Sequence, residues 1–146
     1  MGVQKYFTEE NKLQITNAIR VAELNTSGEI RIHIEKFCKG DVLDQAAYVF
    51  DKLEMQKTQL RNGVLFYLAV EDHKFAIIGD AGINQKVPAD FWEKTKETML
   101  LNFKEGKLTE GITKGILMAG EQLKKHFPYQ EDDKNELSND ISFGKN

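Results

Sequence analysis

The side chains of this sequence best suited to chemistry are four oxygen donors, Glu29, Asn62, Asp80 and Asp90. Glu29 opens a strictly alternating segment, Asn62 precedes an apolar run, Asp80 follows another, and Asp90 stands before a helical pattern. If the first two strands are parallel and the third returns antiparallel, three segments meet at one edge of the sheet. They are the start of strand one (Ser27, Gly28, Glu29), the loop 59–63 and the loop 79–90. Carboxylate, amide and carbonyl oxygens gathered there suit a hard cation, Ca2+ or Mg2+. Without an ion such acids repel one another, so the cluster is informative where it forms. Each residue also has a plainer role. Asp80 after Gly79 closes an Asx-turn, Asp90 complements a helix N-terminus, Glu29 is a solvated strand residue and Asn62-Gly63 is a turn. Asp41 and Asp44 fall beyond the other end of strand one and read as helix-start acids.

The elements that must position these groups follow from periodicity. Thr8 with Glu9 and Glu10 is a helix start, and Ile15, Ala18, Ile19 and Ala22 lie on one helical face that ends near Asn25. Residues 29–35 alternate, with Ile30, Ile32 and Ile34 on one side and Glu29, Arg31, His33 and Glu35 on the other. That pattern predicts a strand with one buried face toward a sheet edge, and it puts His33 on the surface or facing a helix. Asp41 caps a second helix with an apolar stripe of Leu43, Ala46, Ala47, Phe50 and Leu53. Residues 63–70 are apolar throughout, as in a central strand covered on both faces, and a short turn at 71–74 sends a third strand back. Pro88 introduces a helix carrying Phe91, Trp92, Thr95, Met99 and Phe103, which Gly106 ends. The final helix buries Leu108, Ile112, Ile116, Ala119 and Leu123, and the recurring Gly111, Gly115 and Ala119 let it lie close to a neighbour. The order α-β-α-β-β-α-α predicts an α/β fold: a three-layer αβα sandwich around a small mixed sheet of three to four strands. Residues 1–128 form the domain and 129–146 an acidic, flexible tail that adds little burial; the four-stranded sheet that the family resemblance given below implies would take its fourth strand from Ile141–Phe143 or Gln85–Val87.

Composition excludes several functions. A chain of 146 residues with 40% hydrophobic and 29% charged content is one soluble globular domain. The net charge of −3 sits in the tail, where Glu131, Asp132, Asp133, Glu136 and Asp140 outnumber Lys134 and Lys145. The neutral body has no basic stripe, which argues against nucleic acid as a partner. One cysteine, Cys38, a small filler near a strand end, and three histidines supply no structural zinc set. No apolar leader, membrane-length run or myristoylation pattern is present, so direct membrane insertion is not expected and the cytoplasm is the expected location. Phosphate-loop, dinucleotide, nucleophile-elbow and Asp-x-Asp signatures are all missing.

One arrangement is more specific. Ser27-Gly28-Glu29-Ile30-Arg31-Ile32, Ala46-Ala47, Asn62-Gly63-Val64-Leu65, Gly79-Asp80-Ala81-Gly82-Ile83 and Asp90 follow one another over about residues 7–128. In this order and spacing they resemble the TPM domain, a family named for a thylakoid-lumen phosphatase, a photosystem-repair protein and a receptor modulator. The resemblance implies an αβα sandwich that binds divalent metal ions. It also implies a choice of activities: a regulatory or interaction module with an unidentified protein partner, or a metal-dependent acid phosphatase acting on phosphomonoesters. In the phosphatase reading Glu29 and Asp80 hold the ion and Arg31 or Lys86 lies near phosphate, but no nucleophile or general acid stands out. A purely structural partner-binding domain is the third reading. The chain departs from the family pattern in two ways. Asp80-Ala81 separates Gly79 from Gly82 where one residue is usual, and neither the signal peptide nor the C-terminal membrane helix of many members is expected.

Overall fold

The computed structural model describes residues 3–129 and 139–144. Helix α1 (Glu9–Glu23) begins at Thr8, whose hydroxyl accepts from the Asn11 N–H at 3.0 Å while Asn11 Oδ1 accepts from the Thr8 N–H at 3.0 Å, a reciprocal capping box. Its buried face is Ile15, Ala18, Ile19 and Ala22, as the spacing predicts. Strand β1 (Glu29–Glu35) leads into α2 (Val42–Lys52), capped by Asp41, whose Oδ1 accepts from the N–H groups of Leu43 and Asp44. A 3-10 turn at Met55–Lys57 precedes β2 (Gly63–Ala69), which is buried at every position. Strand β3 (Lys74–Gly79) returns, and the short helix α3 (Ala81–Asn84) occupies part of what the sequence suggests is a loop. Helices α4 (Phe91–Lys104) and α5 (Leu108–His126) follow, and β4 (Ser142–Phe143) completes the sheet.

The sheet order is β3-β2-β1-β4. Strands β1 and β2 are parallel with Glu29 opposite Gly63, and β2 and β3 are antiparallel with Val64 opposite Gly79. Strand β4 runs parallel to β1, with Ser142 opposite His33. One face of the sheet carries α1, α4 and α5 through Ile19, Ile32, Phe66, Met99 and Ile116, and the other carries α2 through Ala46, Phe50, Leu65 and Tyr67. The fold is thus the expected α/β sandwich with a four-stranded mixed sheet. The small residues of α5 act as their spacing suggests. A methyl group at Gly115 would meet Met99 Sδ at 2.5 Å and one at Gly111 would meet the Phe103 ring at 2.5 Å, so hydrogen at both positions lets α5 lie close against α4 without moving those side chains.

Two local expectations change. The buried stripe of α2 is Ala46, Val49 and Phe50, with Val42 and Leu53 partly covered, whereas Leu43 and Ala47 are exposed. Strand β1 is an inner strand, because Ile141 and Phe143 pack on the main core and β4 covers its open side. Its polar face is consequently buried: Glu29 is 2% exposed, His33 8% and Glu35 9%. Of the tail, residues 139–144 return to the sheet, while 130–138 and 145–146 lie outside the described residues. No helix among the described residues is long and apolar enough to cross a membrane.

Candidate functional site

Parallel pairing of β1 with β2 and antiparallel return of β3 bring the starts of β1 and β2 and the end of β3 to one edge of the sheet. The Glu29 N–H donates to the Asn62 carbonyl at 3.4 Å, and the Asp80 N–H donates to the Gly63 carbonyl at 2.9 Å. Asn62 is buried, and its Nδ2 lies 3.5 Å from Ser27 Oγ. Glu29, Asn62 and Asp80 therefore belong to adjoining backbone segments. Asp90 stands apart at the head of α4. Its side chain makes no cap hydrogen bond, and it pairs on the surface with Lys94 Nζ at 3.1 Å, which lowers its pKa.

The Asp80 carboxylate is the centre of this edge. Its side chain is 5% exposed, and both oxygens face the Arg61 guanidinium, with Nε to Oδ2 at 2.7 Å and Nη2 to Oδ1 at 2.7 Å. Oδ1 also accepts from the Ala81 N–H at 2.8 Å, so Asp80 caps α3. Arg61 reaches it from a backbone φ of +52°, in the left-handed region that non-glycine residues seldom adopt. Half of the Arg61 side chain is exposed. The α3 turn folds back on the 60–61 backbone, where the Gly82 N–H donates to the Arg61 carbonyl at 2.8 Å. A methyl group at Gly82 would come within 2.2 Å of the Leu60 carbonyl oxygen. Asn84 secures the other side, with Nδ2 donating to the Gly79 carbonyl at 2.7 Å and Oδ1 accepting from Trp92 Nε1 at 2.8 Å.

A cation is thus already seated on Asp80, and it belongs to the protein. The donor set around it is all oxygen, the chemistry of a hard ion. Among the described residues no three His, Cys, Asp or Glu side chains lie together as a metal cage. An ion at this edge would have to take the Asp80 carboxylate from the Arg61 guanidinium.

Two groups went unnoticed in the sequence. Glu23, at the end of α1, shares a 280 Å³ pocket with Arg20, Ser27, Gly28 and Glu29. Its Oε2 accepts from the Ile30 N–H at 2.8 Å, yet burial outweighs that bond and raises its pKa to about 7. The second group lies at the opposite end of β1. Glu35 accepts from the Tyr67 hydroxyl in a short hydrogen bond, from His33 Nε2 at 3.1 Å and from Gln45 Nε2 at 3.4 Å. His33 Nδ1 lies 2.8 Å from Ser142 Oγ, and the His33 ring stacks on Tyr67 with centroids 5.9 Å apart. Burial lowers the His33 pKa and, with Glu35, raises that of Tyr67. The available signal was Tyr67 itself, the one hydroxyl in the apolar run 63–70.

Fold and edge together define an αβα sandwich whose oxygen-rich loops gather at the starts of two parallel strands. The TPM domain profile matches residues 3–122, and the chain belongs to the TPM domain family. It is similar to BA42 protein from the psychrophilic bacterium Bizionia argentinensis, with 49% identity and a TM-score of 0.90 over 97% of this chain and 98% of that one. Two more distant structures share the fold. The N-terminal domain of cg2496 protein from Corynebacterium glutamicum is 11% identical, with a TM-score of 0.66 over 83% of this chain and 76% of that one. The N-terminal domain of a protein from P. gingivalis is 13% identical, with a TM-score of 0.69 over 86% and 83% respectively. No curated protein matches the chain.

Proposed function

We propose that this TPM domain binds a divalent cation of the calcium type at the Asp80 edge and serves as a regulatory or interaction module. The observation that carries the reading is the Arg61–Asp80 pair. A buried carboxylate neutralised by a half-exposed guanidinium is a position where one positive charge can replace another. Asp80 is the anchor; Glu29, Asn62 and Asp90 are the further proposed donors, with Ca2+ the first candidate and Mg2+ the second. Exchange releases Arg61 to solvent and changes the charge presented beside α3, which gives a partner protein something to read. The test is titration calorimetry with calcium on the wild type and on Asp80→Asn. Saturable binding lost in the variant at unchanged fold supports the reading. Equal binding by both proteins refutes it.

Acid phosphatase activity is the second reading, and one observation favours it. Glu23 holds its proton to about pH 7 in the pocket it shares with Ser27 and Glu29, which makes it a candidate general acid. Hydrolysis of a chromogenic phosphate ester that falls in both Glu23→Gln and Asp80→Asn would support catalysis. Turnover indifferent to both changes would come from another site or a contaminant. A purely structural partner-binding domain predicts no response to any divalent ion.

A further inference from the structure

The two sides of the sheet are finished differently. On the side of β1, Glu23 Oε2 accepts from the Ile30 N–H at 2.8 Å, β4 pairs with His33 and Ile34, and the Gly144 N–H donates to the Ile34 carbonyl at 2.8 Å. Strand β3 is the edge on the other side. Its residues 74–79 pair one to one, in reverse, with 64–69 of β2, and the bond from the Asp80 N–H to the Gly63 carbonyl fixes which of them point inward. Lys74, Ala76 and Ile78 exchange hydrogen bonds with β2, so the main-chain groups of Phe75, Ile77 and Gly79 point outward. Asn84 Nδ2 takes the Gly79 carbonyl. The N–H and C=O of Phe75 and Ile77 make no hydrogen bond among the described residues. Residues 75–79 also hold no charge, proline or bulge, the devices that keep an edge strand from pairing.

Helices flank this edge on both faces. On α2, Gln45 Nε2 reaches Glu35 of β1, so the flank with Leu43 and Ala47, about 200° around the helix, lies on the β3 side. Leu43 is 55% exposed there. On α4, Phe103 meets the Phe75 ring edge to face at 5.1 Å, and Lys96 Nζ lies over that ring at 5.9 Å. Leu100, one turn from Lys96, is 41% exposed. The edge is thus a row of outward donors and acceptors about 7 Å apart between two apolar lips, and extended main chain presents the complementary groups at that spacing. Lys96 has no carboxylate partner among the described residues and puts a positive charge beside Phe75. Pairing β3 with a second copy about a two-fold axis would set one Lys96 near the other, whereas an acidic side chain on an incoming segment would neutralise it.

We propose that the β3 edge binds an extended peptide segment of a partner protein, added antiparallel to β3, with an apolar side chain opposite Ile77 and an acidic one opposite Phe75, where Lys96 meets it. The proposal does not depend on cation binding at Asp80. The test is titration of the 15N-labelled protein with the acetylated, amidated peptide Thr-Val-Thr-Val-Thr-Glu, which sets Val, Val and Glu opposite Gly79, Ile77 and Phe75. The peptide should shift the Phe75 and Ile77 amides saturably and slow their hydrogen exchange by about tenfold, whereas Ala76 and Ile78 are already protected in the free protein. Lysine in place of the glutamate should weaken binding by about tenfold, and Lys96→Glu should reverse that preference at unchanged thermal stability. N-methylation of the second valine and the glutamate, which removes the peptide N–H groups that face β3, should abolish binding. Equal binding of the N-methylated peptide, no preference between the two charges, or shifts confined to other parts of the molecule would overturn the proposal. So would protection of Phe75 and Ile77 that rises with protein concentration alone, since a second copy would then fill the edge.

Discussion

Asp80 and Glu35 are both buried carboxylates, one at each end of the same sheet, and they are satisfied in different ways. Glu35 accepts from Tyr67, Gln45 and His33, a set that is uncharged while burial keeps the imidazole neutral. Those donors come from β1, β2 and α2, and exchanging them would open the α2 face. Asp80 is held by one long cation that is half in solvent and arrives from a strained backbone position. Replacing that cation disturbs only a loop. The difference separates an acidic spot that the proposed function makes a cation site from one that belongs to the architecture, although burial alone would not separate them.

Removing the material that seals the Glu35 end should have the largest effect. Deletion of residues 139–146 takes away Ile141, Phe143 and the Ser142 partner of His33 and should cost about 3 kcal/mol in urea denaturation. An unchanged midpoint would restore the simpler view of a dispensable tail. Next comes Tyr67→Phe, which leaves a buried carboxylate short of its closest donor and should cost about 2 kcal/mol by the same measurement. If the cost is negligible, Glu35 is not the structural acid described here.

The Arg61→Met variant sharpens the contrast from the other side. It should lower the stability of the ion-free protein by about 1 kcal/mol, since the buried Asp80 carboxylate loses its half-exposed cation but keeps the Ala81 N–H, and raise calcium affinity several-fold by removing the competing cation. Weaker calcium binding in Arg61→Met would mean that the guanidinium supports the site and does not compete for it.

Much of the fold is legible in the sequence because it rests on period. The alternation of 29–35, the apolar run 63–70 and the helical faces of α1, α4 and α5 each bury a continuous stripe. Strand β4 is two residues long and carries no alternation, so only Phe143 and the preceding Ile141 hint at it. The stripe of α2 is misread because Leu43 and Ala47 are as apolar as their neighbours, and only the angle of the helix on the sheet decides which are covered. That the backbone segments carrying Glu29, Asn62 and Asp80 adjoin follows from topology. Their partners do not, because Arg61 reaches Asp80 only through a left-handed backbone residue that no local propensity favours. His33 and Glu35 stand on the polar side of β1 as expected, and they are buried because β4 and α2 close over them.

A further stability effect depends on pH. Glu23 keeps its proton in the folded protein up to about pH 7, whereas an ordinary glutamate in the unfolded chain loses it near 4.5. Between those values the native state binds more protons, so stability falls as pH rises and the penalty is complete above about 7. Glu23→Gln keeps an acceptor for the Ile30 N–H and has no charge to bury. It should be more stable than the wild type at pH 8 and indistinguishable from it at pH 4, measured by urea unfolding. A difference of the same size at both values would show that Glu23 is not titrating.

The central claim is that the Asp80 edge exchanges a guanidinium for a divalent ion while the Glu35 end stays fixed. Calcium titration followed by amide NMR tests it most directly. The account predicts saturable shifts in residues 26–30, 58–63 and 79–91, with residues 33–35, 39–45 and 67 unmoved. Shifts centred on 39–45, or none with calcium and magnesium, would contradict it.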